Sequence, residues 1–259
     1  MLLLLAAGCG GSPGAAPLPE LRVALEQSRD NENRHLLQVV LTNDGQTPVE
    51  VVRLQLRAAG WTQVAPTART DVVRPGRRLA FPVEYGTAVC GRDGASTVVV
   101  GHRTADGLRE AELAVPDDDP LLPRLHRREC DLRALGEAVE VAFDDGSWRR
   151  RGDVASGRLV VRGTGDGAPV TVDAVEGTVV FTLRPGAALP VTATSGGAQV
   201  PVTVTASRCD AHALIESKRS YDFPYVARRG GGEPLSVTVR PGPRGVALLE
   251  RLLADVCAP

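Results

Sequence analysis

The residues best equipped for chemistry in this 259-residue chain are five cysteines and one short cluster, Asp210, His212 and Glu216. Cys90, Cys130, Cys209 and Cys257 can bond to one another or ligate a metal. No two cysteines stand in Cys-x-x-Cys spacing, which counts against a zinc finger and against a redox dithiol. On a helix, His212 and Glu216 fall on one face and can share a cation with Asp210. Ser207 and Asp210 also have the Ser-x-x-Asp spacing of a capping box, which accounts for the same residues as the start of a helix over 207–220. The sequence therefore assigns no metal, no cofactor and no catalytic residue. Asp210, His212 and Glu216 stay as the weak metal candidates.

Other polar groups read as structure. His126 and Glu129 flank Cys130 on a solvated helix face. Asp117, Asp118 and Asp119 precede Pro120 as a polar linker and helix start. The alternating glycines of 163–167 read as a hairpin turn, because no Lys-Ser/Thr and no helix follow them. No Gly-x-Ser-x-Gly, His-Glu-x-x-His or Ser-x-x-Lys motif is present. An enzyme, with a site near Asp210 or between the domains, is the alternative to a binding protein.

Cys9 differs from the other four cysteines. Leu2–Leu5 is apolar, Ala6, Ala7 and Gly8 are small, and Cys9 follows at once. This segment resembles the lipobox of bacterial lipoproteins, with Ala6 where that motif favours Leu. The resemblance implies cleavage between Gly8 and Cys9 and a diacylglyceryl group on the Cys9 thiol. No Lys or Arg precedes the apolar run, so a translation start upstream of Met1 is expected. The Gly/Pro/Ala-rich stretch that follows cannot pack and reads as a flexible tether. Residues 1–19 are thus read as lipoprotein signal and tether. The chain is expected to be extracytoplasmic, held on the outer face of the membrane through lipid on Cys9.

The remaining chain is long enough for two domains. It carries 30 basic and 31 acidic residues, net charge −1, and every basic residue except Lys218 is arginine. That balance provides no basic stripe for nucleic acid. Aromatics make up 3% of the chain. Valine is frequent at alternate positions, so the core should be aliphatic and made of strands.

The stretch from His35 to Arg57 alternates on both sides of Asn43-Asp44-Gly45, which predicts strand, turn, strand. Val72–Gly76 reads as a further turn. Strands follow over Leu79–Tyr85, Ser96–Gly101 and Leu108–Val115. The second half repeats this plan with strands at Val139–Phe143, Gly157–Arg162, Val170–Val175, Thr178–Leu183 and Val200–Ala206. PVEYGTAVC (82–90) matches PVTVTASRC (201–209). In each half a strand ends at a cysteine, and a Leu-rich helix (121–128 or 246–256) leads to a second cysteine. The fold class expected is mainly all-β: two tandem immunoglobulin-like antiparallel sandwiches, 20–130 and 131–259, each with a short C-terminal helix. Four cysteines allow three pairings. The repeat selects Cys90 with Cys130 and Cys209 with Cys257, each bond stapling a terminal helix to its own sandwich.

The segment 207–226, SRCDAHALIESKRSYDFPYV, resembles a group of uncharacterised secreted or lipid-anchored actinobacterial proteins with a Cys-Asp-Pro-His-Ala motif. Cys209, Asp210, His212, Ala213, Glu216 and Lys218 match, and Ala211 replaces the proline. The resemblance implies export and two cystine-bearing domains, and attaches no activity. The expected role is a binding or scaffolding module with an unidentified protein or envelope partner and no nucleic acid.

Overall fold

The computed structural model describes residues 19–28, 31, 34–164, 167–187, 189–216 and 219–258, apart from the side chains of 211, 215 and 216. Cys9 and Lys218 lie outside these residues. The chain divides into two compact units, Met1–Arg128 and Glu129–Pro259.

The first unit contains β1 (Leu21–Glu26), β2 (Leu36–Asn43), β3 (Val49–Arg57), β4 (Thr67–Val73), β5 (Arg78–Glu84), β6 (Thr97–Thr104) and β7 (Gly107–Ala114). They form two antiparallel sheets, β1-β2-β5 and β4-β3-β6-β7. Leu37, Val39 and Leu41 of β2 are buried, as period-2 alternation requires. In β3 both Val51 and Leu54 are buried although they are three apart. A register shift between Val51 and Arg53 inserts an extra residue and resets the phase. The predicted turn at Asn43 is built from a fully buried amide. Asn43 Nδ2 donates to the carbonyls of Thr47 (2.8 Å) and Val73 (2.9 Å), and its Oδ1 accepts from Gly45 N at 3.0 Å. One side chain thus ties the β2–β3 turn to the end of β4.

The second unit begins within α1 (Leu121–Ala138) and continues through β8 (Val139–Phe143), β9 (Arg149–Arg151), β10 (Val154–Gly163), β11 (Val170–Val175), β12 (Phe181–Pro185), β13 (Val191–Thr192) and β14 (Ala198–Ala206). Then come α2 (Ala211–Glu216), β15 (Phe223–Arg229), β16 (Leu235–Val239) and α3 (Pro243–Val256). The sheets are β12-β14-β10-β8, with β9 paired to β10, and β13-β11-β15-β16. Both sheets feed one apolar core that includes Leu159, Val202, Val172 and Phe223, with Leu249 and Leu252 of α3 added.

In immunoglobulin lettering, the first unit is A-B-E against C′-C-F-G. The second has the same two sheet orders with β12 added beside β14, and because β12 precedes β13 in the chain it does not take the place of an immunoglobulin D strand. Pro82 and Pro201, matched in the sequence, occupy the same strand of the two units, β5 and β14. Pro82 opposes Gln38 and Pro201 opposes Arg158. Pro82 is on an edge strand, and Pro201 lies one residue beyond the last β12–β14 pair, Pro185 with Val202. Neither position asks proline for a ladder N–H.

Several expectations are corrected. α1 runs to Ala138 rather than stopping at Arg128, because Leu135 continues the apolar stripe and is 2% exposed. Val72 and Val73 belong to β4, so the turn begins at Arg74; its Arg77 N donates to Arg74 O at 3.0 Å. β12 runs over Phe181–Pro185, starting three residues later and ending two residues later than the expected strand Thr178–Leu183. β10 and β11 belong to different sheets, so these two strands do not form the expected hairpin. β1, β4, β9, β13, β15 and β16 had no prediction. β9 and β13 are three and two residues long and too short for a periodic signal. β4 is exposed along most of its length and carries no apolar alternation.

Candidate functional site

The cysteines come first, since they fix local geometry. Cys209 and Cys257 are bonded, with Cα atoms 5.1 Å apart. The bond ties the segment after β14 to the last turn of α3, where Cys257 N also donates to Leu253 O at 2.9 Å. Cys90, which follows β5, and Cys130, on α1, are both disulfide-bonded. Two disulfides indicate an oxidising, extracytoplasmic compartment. Among the described residues no helix is long and apolar enough to cross a membrane.

Within the Asp210–His212–Glu216 cluster, Asp210 is engaged in helix capping. Asp210 Oδ1 accepts from Ala213 N at 2.9 Å, and Arg208 donates through Nε to Oδ2 at 3.0 Å. Asp210, not Ser207, is therefore the cap of α2, and the helix starts three residues later than the capping-box spacing suggested. Ser207 N donates instead to Val180 O at 2.9 Å. The Ala213 amide, and then Arg208, hold the Asp210 carboxyl below the usual aspartate range. His212 is exposed, and the Glu216 side chain lies outside the described atoms. Among the described residues no group of three His, Cys, Asp or Glu side chains converges as a metal site.

His126 and Asp119 have structural roles. His126 packs edge-on against Trp61, with ring centroids 5.7 Å apart, and its Nε2 is 3.2 Å from Val89 O. Asp119 caps α1 by accepting from Leu121 N at 2.9 Å, and its other oxygen accepts from Leu25 N of β1 at 3.2 Å.

A different region of the second unit combines charge with an open cavity. α3 presents Arg244, Ala247, Leu248 and Arg251 at spacings i, i+3, i+4 and i+7, which places them on one face. Leu249 and Leu252 on the opposite face are buried. Beside this face stand a 3-10 turn, Asp145–Ser147, and then Trp148 and Arg149. Together they line a groove of about 460 Å³. Trp148 is its anchor and is 4% exposed. Its indole is clamped by two glycines. A Cβ on Gly157 would come within 2.9 Å of Cε3, and one on Gly245 within 2.4 Å of Nε1.

The groove is strongly positive. Arg149 is held by the turn, donating to Gly146 O at 2.9 Å and to Trp148 O at 2.7 Å. Arg244 and Arg251 are exposed and make no ion pair among the described residues. The acidic lining residue is Asp145, whose carboxylate is already bonded to the amides of Arg244 (3.1 Å) and Gly245 (2.7 Å). Asp255, one turn beyond Arg251, is engaged by Arg150. This groove was not expected from the sequence. Its traces were the run Trp148-Arg149-Arg150-Arg151 and the seven-residue spacing of Arg244 and Arg251.

No family model matches the chain. No curated protein matches it either. Among solved structures, it is similar to the exo-chitosanase CsxA of Amycolatopsis orientalis at 13% identity and TM-score 0.24, over 85% of this chain and 26% of that one. Red sea bream transglutaminase aligns at 10% identity and TM-score 0.22, over 87% of this chain and 32% of that one. The chain thus spans about a quarter to a third of these proteins' length. Likenesses this distant have no bearing on its activity.

Proposed function

We propose that the chain is a binding module of the cell envelope, held on the outer face of the membrane by lipid on Cys9, related to the secreted or lipid-anchored actinobacterial proteins that 207–226 resembles. The observation that supports this most is that both units carry the same A-B-E and C′-C-F-G strand order and the chain has two disulfides. Sandwiches of this kind present loops and edge strands to partners. The alternative of a metal-dependent site at Asp210 loses support, because that carboxylate is engaged by α2 and Arg208. The anchor is tested by metabolic palmitate labelling of the full-length protein in a bacterial host. Label that disappears with Cys9→Ala supports the reading, and label that persists, or never incorporates, overturns it. Cross-linking in intact cells, followed by mass spectrometry, then identifies the partner.

A further inference from the structure

We propose that the groove beside α3 of the second unit docks an extended acidic polypeptide segment of a partner protein. The inference rests on the binding-module reading above and names the partner's chemistry.

Three features define the occupant. The first is charge: Arg149, Arg244 and Arg251 line the groove, and the carboxylate of Asp145 is engaged by helix amides. Guanidinium groups match carboxylates through paired N–H donors. The second is spacing. Arg244 and Arg251 are seven residues apart on α3, about 10 Å along its axis at 1.5 Å per residue. In an extended polyproline-type segment, side chains three residues apart lie on one side, about 9 Å apart. Carboxylates at every third position of such a segment therefore meet both arginines. The third is the floor. Ala247 and Leu248 lie between the two arginines on the same helical stripe, and Pro243 extends the apolar surface. A bare anion leaves this strip wet, whereas a peptide with an apolar residue between its acids covers it. The helix N-terminus does not contribute, since Asp145 already occupies it.

The test is fluorescence anisotropy on the full chain in detergent. The probe is a labelled peptide in which Glu recurs at every third position, separated by Pro and Leu. The peptide should bind, and binding should weaken as salt rises. Arg244→Glu combined with Arg251→Glu should weaken it by about tenfold or more, and Arg251→Gln by less. Arg109→Glu, on the exposed part of β7, should leave it unchanged. A peptide with Lys in place of Glu should not bind. Both groove arginines are exposed and without ion pairs among the described residues, so the variants should melt with the unaltered protein. The proposal falls if the peptide fails to bind or if the double reversal leaves its affinity unchanged. It also falls if phosphatidylglycerol vesicles bind more tightly than the peptide through the same arginines. Because the peptide is met in solution, this result is independent of the palmitate labelling that tests Cys9.

Discussion

Asp145 Oδ1 accepts the backbone N–H of Gly245 at 2.7 Å across 100 residues of sequence. The residue at the N-cap of α3 is Gly242, which has no side chain to cap with. Asp145, arriving from the segment after β8, supplies the missing carboxylate. A Cβ on Gly242 would lie 2.6 Å from Asp145 Cγ, so the bare glycine is what admits it. The first unit solves the same problem in reverse. There Asp119, on the helix side, caps α1 and also reaches the amide of Leu25 in β1. In both units one aspartate fixes the helix start to the first-strand region.

Asp145→Ala should therefore cost about 1 kcal/mol of stability, the usual worth of a cap. Asp145→Asn should cost less, because its amide oxygen still accepts one N–H. Chemical denaturation of the two variants beside the unaltered protein reads the difference, and equal midpoints for all three would refute the remote cap.

The glycine clamp on Trp148 makes a second expectation. Gly245→Ala puts a methyl 2.4 Å from the indole Nε1 and 2.7 Å from Pro241 Cβ. Overpacking of this kind costs about 1–3 kcal/mol. The melting temperature should fall, and Trp148 fluorescence should shift as the ring is displaced. An unchanged melt would mean that the indole has room to move.

Removing the Cys209–Cys257 bond, by Cys209→Ser with Cys257→Ser, releases a loop with a sequence separation of 48. Loop-closure entropy puts the loss at about 4 kcal/mol. The second unit should unfold at markedly lower denaturant, as read by its Trp148 emission. A midpoint shift too small to measure would show that the unfolded chain gains no freedom from the cut.

Asp210 predicts an acid limb. Its folded pKa is depressed, first by the Ala213 amide and then by Arg208. A carboxylate depressed on folding contributes stability above its unfolded pKa of about 3.9, and loses it as pH falls through the folded value. Asp44, depressed first by its hydrogen bond from Arg22, acts with the same sign. Asp210→Asn should be less stable than the unaltered protein at neutral pH, and the two curves should converge in acid. Curves that stay parallel down to strongly acid pH would remove Asp210 from the pH dependence.

Much of the architecture was legible in the chain because its signals are local. Alternation marks β2 and β14 directly, since each buries every second residue against a core. Matched cysteines and matched prolines mark the repeat, because a disulfide and a ladder-free proline each constrain one place in a fold. The edge strands β4, β13 and β16 were silent. A strand exposed on one face, or only two residues long, is set by its neighbour's hydrogen bonds more than by its own side chains.

The residue pattern was sufficient for the strand-rich class, the turn at Asn43 and the helix before Cys257, all consequences of period, turn chemistry and apolar spacing. The end of α1 and the true cap of α2 depended on which partners the folded chain brings within reach. The arginine groove depended on it most of all. Arg149 and Arg251 are 102 residues apart in sequence, and only the docking of α3 beside the turn after β8, locked by Asp145, makes them neighbours.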